Sequence, residues 1–417
     1  MKKTKSPSAS ASPEASTSMN RRSFLALSGA VGASVMVPGW SWAGSQSVAG
    51  IGGVTVPPSY VYDDEADPVV VRLIDEGKVQ EVNQILCSWK KNSQPLPAGL
   101  PDYLHDFIEE ARQLPSWADM DKLNAADKFN QDRGTYLGVA YGFVSGMMST
   151  VIPHEARAVY YSKGGADMKR RISRTAKFGY DIGSMGGFHN PNAEMVVTAV
   201  KTRLAHAGVR HLLPQSPHWQ GTADQPKPIS QRDILVTWHS LPTSVMRALD
   251  QWGVRVSDSQ ANAFLHSWQV AAHMLGVRDE YIPADWDGAY AQAPQILDPV
   301  LAPTPEGIKL AHILLDLAAE VDGGVLTRPM MESFTRYFLG DQIAEWLEIP
   351  RHPIQDQGLA YSWPYFVTMK EYGLYMPGSS QFYWACDEML RQGAMWYLAE
   401  GQEINIEIPD MNNPNYS

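Results

Sequence analysis

The stretch GTYLGVAYGFVSGMMSTVIP, residues 134–153, runs for twenty positions without a charged side chain, and its reading decides the fold. Twenty uncharged residues are enough to cross a bilayer as a helix. Within the stretch, however, Gly138, Gly142 and Gly146 recur every fourth residue, and Ser145, Ser149 and Thr150 lie among the apolar side chains. Positions i, i+4 and i+8 share one helix face, so the glycines form a smooth stripe that a neighbour can approach closely. The pattern predicts a buried central helix rather than a membrane span, with another helix packed on the glycines. A flat macrocycle would fit the same stripe.

Helical periodicity continues on both sides. Apolar residues recur at the 3.6-residue period near 65–90, 99–113, 116–131, 135–150, 167–184, 191–210, 230–254, 258–276, 305–320, 328–347, 361–375 and 379–400. No stretch alternates as a strand or hairpin does. Pro153, Gly164-Gly165, Pro191, the Pro-rich segments 214–228 and 294–305, and 350–353 read as breaks, and 213–230 as a surface loop. The expected class is all-α. Aromatic residues crowd the segment from Tyr361 to Tyr397, a density that suits a packed core or the wall of an apolar channel.

The N-terminus is of another kind. Asn20-Arg21-Arg22-Ser23-Phe24-Leu25 has the form of a twin-arginine export signal. An apolar run from Phe24 to Val37 follows it, then the small-x-small pattern Ser41-Trp42-Ala43. Residues 1–43 are therefore expected to be a polar leader and signal peptide, and 44–417 one domain secreted to the cell exterior or periplasm. This pathway carries folded proteins, often around a cofactor. The net charge is −11, to which Lys2, Lys3, Lys5, Arg21 and Arg22 against Glu14 contribute +4, leaving −15 on the exported part. So acidic a protein is a poor partner for nucleic acid or an anionic membrane. Cys87 and Cys386 are the two cysteines; they can pair in an oxidising compartment or remain as buried free thiols.

The segment from Arg203 to Arg210 holds the most chemistry. Positions i, i+3 and i+7 share a stripe, so Arg203, His206 and Arg210 face one way. Two neighbouring cations discourage a charged imidazole, and neutral imidazole is what a metal binds. The guanidiniums would suit carboxylates of a bound group, although a solvated basic face is the plainer reading. A second stripe places Arg171 and Thr175 together, with Arg174 beside them. Glu155 follows Pro153, where it can serve as a first-turn acid or as a base at the rim of an apolar cavity. Zincin, P-loop and Gly-x-Ser-x-Gly patterns are absent from the sequence.

In this order, Glu155, Arg171-x-x-Arg174-Thr175, Arg203-x-x-His206-x-x-x-Arg210 and Arg336 make the chain resemble the latex clearing proteins, the rubber oxygenase family, over about residues 60–400. The resemblance implies a helical core related to globins around one non-covalent haem b, and no Cys-x-x-Cys-His is present for covalent attachment. It implies His206 as iron ligand and Glu155 as catalytic acid or base, with Arg171, Thr175, Arg203, Arg210 and Arg336 holding the haem or its pocket in order. It also implies poly(cis-1,4-isoprene) and dioxygen as substrates and a monomer as the working unit. Related alternatives are an oxygenase for a smaller prenyl substrate and a non-catalytic haem carrier or sensor. One position departs: the family has a lysine able to cap the distal iron where this chain has Arg174 in the catalytic neighbourhood. Arginine keeps its proton and has no free lone pair, so its head is expected to turn toward a carboxylate, Glu155.

Overall fold

Capping residues start the long helices. The Asp119 carboxylate accepts from the backbone N–H groups of Asp121 and Lys122, and Asp167 accepts from that of Arg170. Ser230 with Asp233, and Ser257 with Gln260, form reciprocal capping boxes. The computed structural model describes residues 47–50, 56–321, 326–373 and 378–416, without the side chains of 379 and 380. The expected leader lies outside these residues. Among them are helices and two isolated β-bridges but no strand, so the all-α expectation holds.

The uncharged stretch lies inside one long helix rather than in a helix of its own. Met120–Val139 continues through a π-helical turn, Ala140–Gly146, into Met147–Ser149, and bends by 87° into Pro153–Tyr161. No single helix among the described residues is long and apolar enough to cross a membrane. The helix packs along Asp258–Met274, with Phe129 edge-on to Phe264 at 5.4 Å and Tyr141 edge-on to Trp268 at 5.9 Å. A second π-turn, His239–Thr243, abuts the first, and Ser145 Oγ lies 3.1 Å from Ser240 Oγ. The expected neighbour on the glycine stripe is not there. Around the Cβ positions of Gly138 and Gly142 no atom comes within 4 Å, and both glycines are accessible although Leu137, Ala140 and Val144 are buried.

Other differences trace to proline and glycine. Pro153 and Pro217 start helices, Pro153–Tyr161 and Pro217–Thr222, because proline at the first helical position gives up an N–H that has no intrahelical partner. The expected 213–230 loop therefore contains a helical turn, and Trp286–Ile296 is a helix despite Pro294. The expected 65–90 and 328–347 helices each break in two, at Gly77 and Gly340. Cys87 and Cys386 are unpaired, and Cys87 is exposed. The aromatic C-terminus divides: Trp363 is buried against Trp252 and Phe338, at 5.0 and 5.1 Å, whereas Tyr361, Tyr365, Tyr372, Phe382 and Trp396 are exposed.

One ionic cluster fixes the helix that carries His206. Ala66–Asp75 packs along Met195–Leu212, and the residues before and within its first turn supply carboxylates. Arg203 donates from Nε to Asp63 Oδ2 (2.7 Å) and from Nη2 to Asp63 Oδ1 (2.8 Å) and Glu65 Oε2 (2.6 Å). Arg210 donates from Nε to Asp67 Oδ1 at 2.7 Å and has Nη2 3.7 Å from Asp63. Burial alone would raise the Asp63 pKa, but the Arg203 hydrogen bonds and charge, the Ala66 N–H and the charge of Arg210 hold it below its ordinary value. Gly276 closes the cluster with φ +84°, where a Cβ would sit 2.5 Å from Asp63 Oδ2 and 2.6 Å from Arg203 Nε.

Removing Asp63 would leave two buried guanidiniums short of a partner. Asp63→Ala should cost about 3–5 kcal/mol in a denaturant melt, the range for breaking a buried pair from one side. A loss below about 1 kcal/mol, as for an exposed pair, would contradict this account.

Candidate active site

Three chain segments deliver one deep polar cluster. Pro153 sets the start of its helix, which puts Glu155 in the first turn, but the side chain does not cap the helix. It accepts instead from the hydroxyl of Thr237 on Gln231–Trp238. Burial pushes the Glu155 pKa up to about 7, with the charge of Asp233 adding to it and Thr237, Arg171 and His154 opposing. Met168–Ile182 supplies Arg171, whose stem lies against Gly164. Burial and the charge of Arg174 lower the Arg171 pKa, against the attraction of Glu155. Among the described residues no carboxylate pairs with its guanidinium.

His206 comes from Met195–Leu212. Burial, then the charges of Arg210 and Arg171, push its pKa down to about 3, so the ring is neutral at any working pH. Its Nδ1 is buried without a hydrogen-bond partner. His239 shows what a structural histidine looks like in the same protein. Burial also takes its pKa to about 3, but Nδ1 meets Thr243 Oγ1 at 2.9 Å and Nε2 meets Gln292 Oε1 at 2.8 Å. Every polar atom of that ring is satisfied, and those of His206 are not. Glu155, Arg171 and His206 are all partly buried, and the charge of Arg171 acts on both of the others.

The other expected residues fall elsewhere. Arg174 does not turn toward Glu155: it donates from Nη2 to Glu407 Oε2 at 2.7 Å and from Nε to the carbonyl of Asn405 at 2.9 Å. The C-terminal segment, folding back over the helix, brings it a less buried carboxylate than Glu155. Thr175 is exposed, its hydroxyl donating to the carbonyl of Arg171 at 3.3 Å. Arg203 and Arg210 are taken by Asp63, Glu65 and Asp67, so they order the pocket from behind rather than offering free charge to a bound carboxylate. Arg336 is equally committed, to Asp341 at 2.9 Å and the carbonyl of Ile349 at 2.6 Å.

Thr237 and Asp233 were not anticipated. Asp233 caps its helix with Ser230 and lies 3.4 Å from His154 Nδ1, while His154 Nε2 meets the exposed Asp224 at 2.5 Å. The local hint was the spacing of four between Asp233 and Thr237 behind a serine cap. An open groove of about 510 Å³ between Met168–Ile182 and Ser379–Leu398 is lined by the ion-paired Lys177, Asp181 and Glu194 and contains none of the three cluster residues.

The donor set fits a haem. A neutral imidazole with an unsatisfied nitrogen suits a metal, and an unpaired buried guanidinium suits a propionate. Among the described residues no group of three His, Cys, Asp or Glu side chains is placed to hold a metal ion, so a metal at His206 would take its remaining ligands from a macrocycle.

Comparison with known proteins gives a consistent picture. Residues 132–369 match the family described as ER-bound oxygenase mpaB/B'/Rubber oxygenase, catalytic domain. The chain is 50% identical to a rubber oxygenase of Streptomyces sp. (strain K30) over 406 residues, covering 95% of this chain and 99% of the relative. A solved structure of latex clearing protein in the closed state superposes with a TM-score of 0.81 at 52% identity, covering 89% of this chain and all of the other.

The raised pKa of Glu155 carries a stability consequence. The folded chain binds this proton more tightly than the unfolded chain, so Glu155 costs no stability below its ordinary value of 4.5 and a growing amount up to about 7. Glu155→Gln, which can keep the Thr237 contact, should therefore raise the melting temperature at pH 8 and leave it unchanged at pH 4. Equal shifts at both values, or destabilisation at pH 8, would show that Glu155 is not desolvated.

Proposed function

The chain belongs to the ER-bound oxygenase mpaB/B'/rubber oxygenase catalytic-domain family, and on that premise we propose that it is an exported haem b dioxygenase cleaving the double bonds of poly(cis-1,4-isoprene). The observation that carries this reading is the neutral, partnerless His206 beside an unpaired Arg171 and a Glu155 with a pKa near 7. His206 would hold the iron and Arg171 a propionate. Bound there, haem supplies the activation of dioxygen.

The chain's own residues do the rest. Arg203 and Arg210, locked to Asp63 and Asp67, fix the helix of His206, and burial with the charges of Arg210 and Arg171 keeps its ring uncharged. Arg174, held by Glu407 and Asn405, offers iron no free lone pair. Glu155 is near half-ionised at neutral pH, so Oε1 or Oε2 can take the allylic proton as the double bond is oxidised. An alkene and one dioxygen give one ketone and one aldehyde with no net proton, so Glu155 must return what it takes. His154, Asp233 and the exposed Asp224 lie beside it and lead toward solvent. The export leader of residues 1–43 agrees with an insoluble polymer as substrate, because such a polymer stays outside the cell.

Two variants test the assignment. His206→Ala should yield protein with little or no haem by absorption spectrum, while His218→Ala should load normally; full occupancy in the His206 variant would remove the ligand assignment. Glu155→Gln should keep the haem spectrum and lose most cleavage of latex, measured as carbonyl ends formed. In the wild type, activity should rise with pH through about 7 as Glu155 ionises, and that limb should vanish in the variant. Normal turnover by the variant would make Glu155 a structural residue only.

A further inference from the structure

The two C-terminal helices are built inside out. On Pro353–Gly373 the exposed Ile354, Tyr361, Tyr365 and Tyr372 stand at i, i+7, i+11 and i+18, which places them on one stripe. On Ser379–Leu398 the exposed Phe382, Met389 and Trp396 stand at i, i+7 and i+14 and form a second stripe. All seven are between 66% and 83% exposed, so they lie on the outer surface rather than in a crevice. The charges point inward. Lys370 and Asp387 are buried, with Nζ 3.3 Å from Oδ2. Both reach Thr135: Lys370 Nζ lies 2.5 Å from its Oγ1, and the Thr135 N–H donates to Asp387 at 2.9 Å. Each helix thus sends one buried charge to the central helix at Thr135, one turn before Gly138, and its exposed stripe faces away from it.

We propose that these stripes are an adsorption surface for a solid hydrocarbon, the polyisoprene particle itself. The inference rests on the function proposed above. A contiguous exposed apolar surface of this kind marks a contact with a partner or another phase. The charge pattern selects the partner. Among the described residues of 354–373 and 378–399 no exposed side chain is ionisable except through tyrosine hydroxyls, on a chain of net charge −11. A phospholipid surface is recognised through free basic residues flanking an apolar face, and the one exposed cation that flanks these stripes, Arg351, is engaged by Asp341 at 2.9 Å. An uncharged hydrocarbon makes no such demand. The shared anchor at Thr135 ties the surface to the central helix that bears the open glycine face.

The test compares the haem-loaded wild type with a variant combining Tyr361→Lys, Tyr365→Lys, Met389→Lys and Trp396→Lys. Tyr365→Ser with Trp396→Ser serves as a milder pair should the first fail to fold. Co-sedimentation with washed polyisoprene latex should remove the wild type from solution at low and high salt alike, and the variants should partition at least about tenfold more weakly. Turnover of latex should fall in step, while turnover of a short soluble isoprenoid stays within about twofold, since the substituted side chains lie outside the cluster. Variants that sediment like the wild type would overturn the proposal. So would wild-type binding to phospholipid vesicles as strong as to latex, or a wild-type dimer that the substitutions dissociate. If the wild type adsorbs to latex but oxidises neither substrate, the functional reading fails and the surface stands. If it oxidises both while the variants still adsorb normally, the reverse holds.

Discussion

Asp63 sits between Arg203 and Arg210 in the interior, and the placement of everything that touches the cluster follows from that contact. The helix Met195–Leu212 has one face against Ala66–Asp75, and without a buried carboxylate there its two guanidiniums would be uncompensated charge. A buried ion network of this kind adds little net stability compared with apolar packing, but it tolerates only one register. That register orients His206. The same Arg210 charge then acts on the imidazole, adding to burial in holding it neutral. One set of contacts therefore settles both where the ring lies and in what protonation state.

The protein spends stability on the cluster it positions. Glu155 is desolvated with one hydroxyl for company, Arg171 has no ion-pair partner among the described residues, and His206 Nδ1 is unsatisfied. His239 demonstrates that the fold can satisfy a buried histidine fully when nothing else is required of it. The contrast locates function better than pKa does, because both rings are shifted alike. Two π-turns meet beside this region, one bearing Gly142 and the other His239, and such turns recur where helices are distorted for a site.

Much of this was legible in the sequence, and what was not has a common cause. The all-α class followed from periodicity alone. The Arg-x-x-His-x-x-x-Arg spacing marked His206, since a helix necessarily puts those side chains near one another. Periodicity names the residues that share a face but not what lies opposite. The partners of Arg203 and Arg210 are carboxylates about 140 residues away, and that of Arg174 is Glu407 rather than Glu155, pairings that no local spacing reveals. The C-terminal aromatics failed for a related reason: the stripes were visible, but their buried opposites, Lys370 and Asp387, invert the usual assignment of inside and outside. Position leaves Glu155 as either a first-turn acid or a base, and it shows neither the Thr237 contact nor the burial that raises its pKa.

The central claim is that His206 and its neighbours form a seat for one non-covalent haem. The visible absorption spectrum of the purified protein, followed by extraction into acidified butanone, tests it most directly. The account predicts a Soret band corresponding to one haem b per chain, with all of the pigment passing into the organic phase because no Cys-x-x-Cys-His exists to retain it. A colourless protein that takes up no haem when it is supplied, or pigment that stays with the polypeptide, would contradict it.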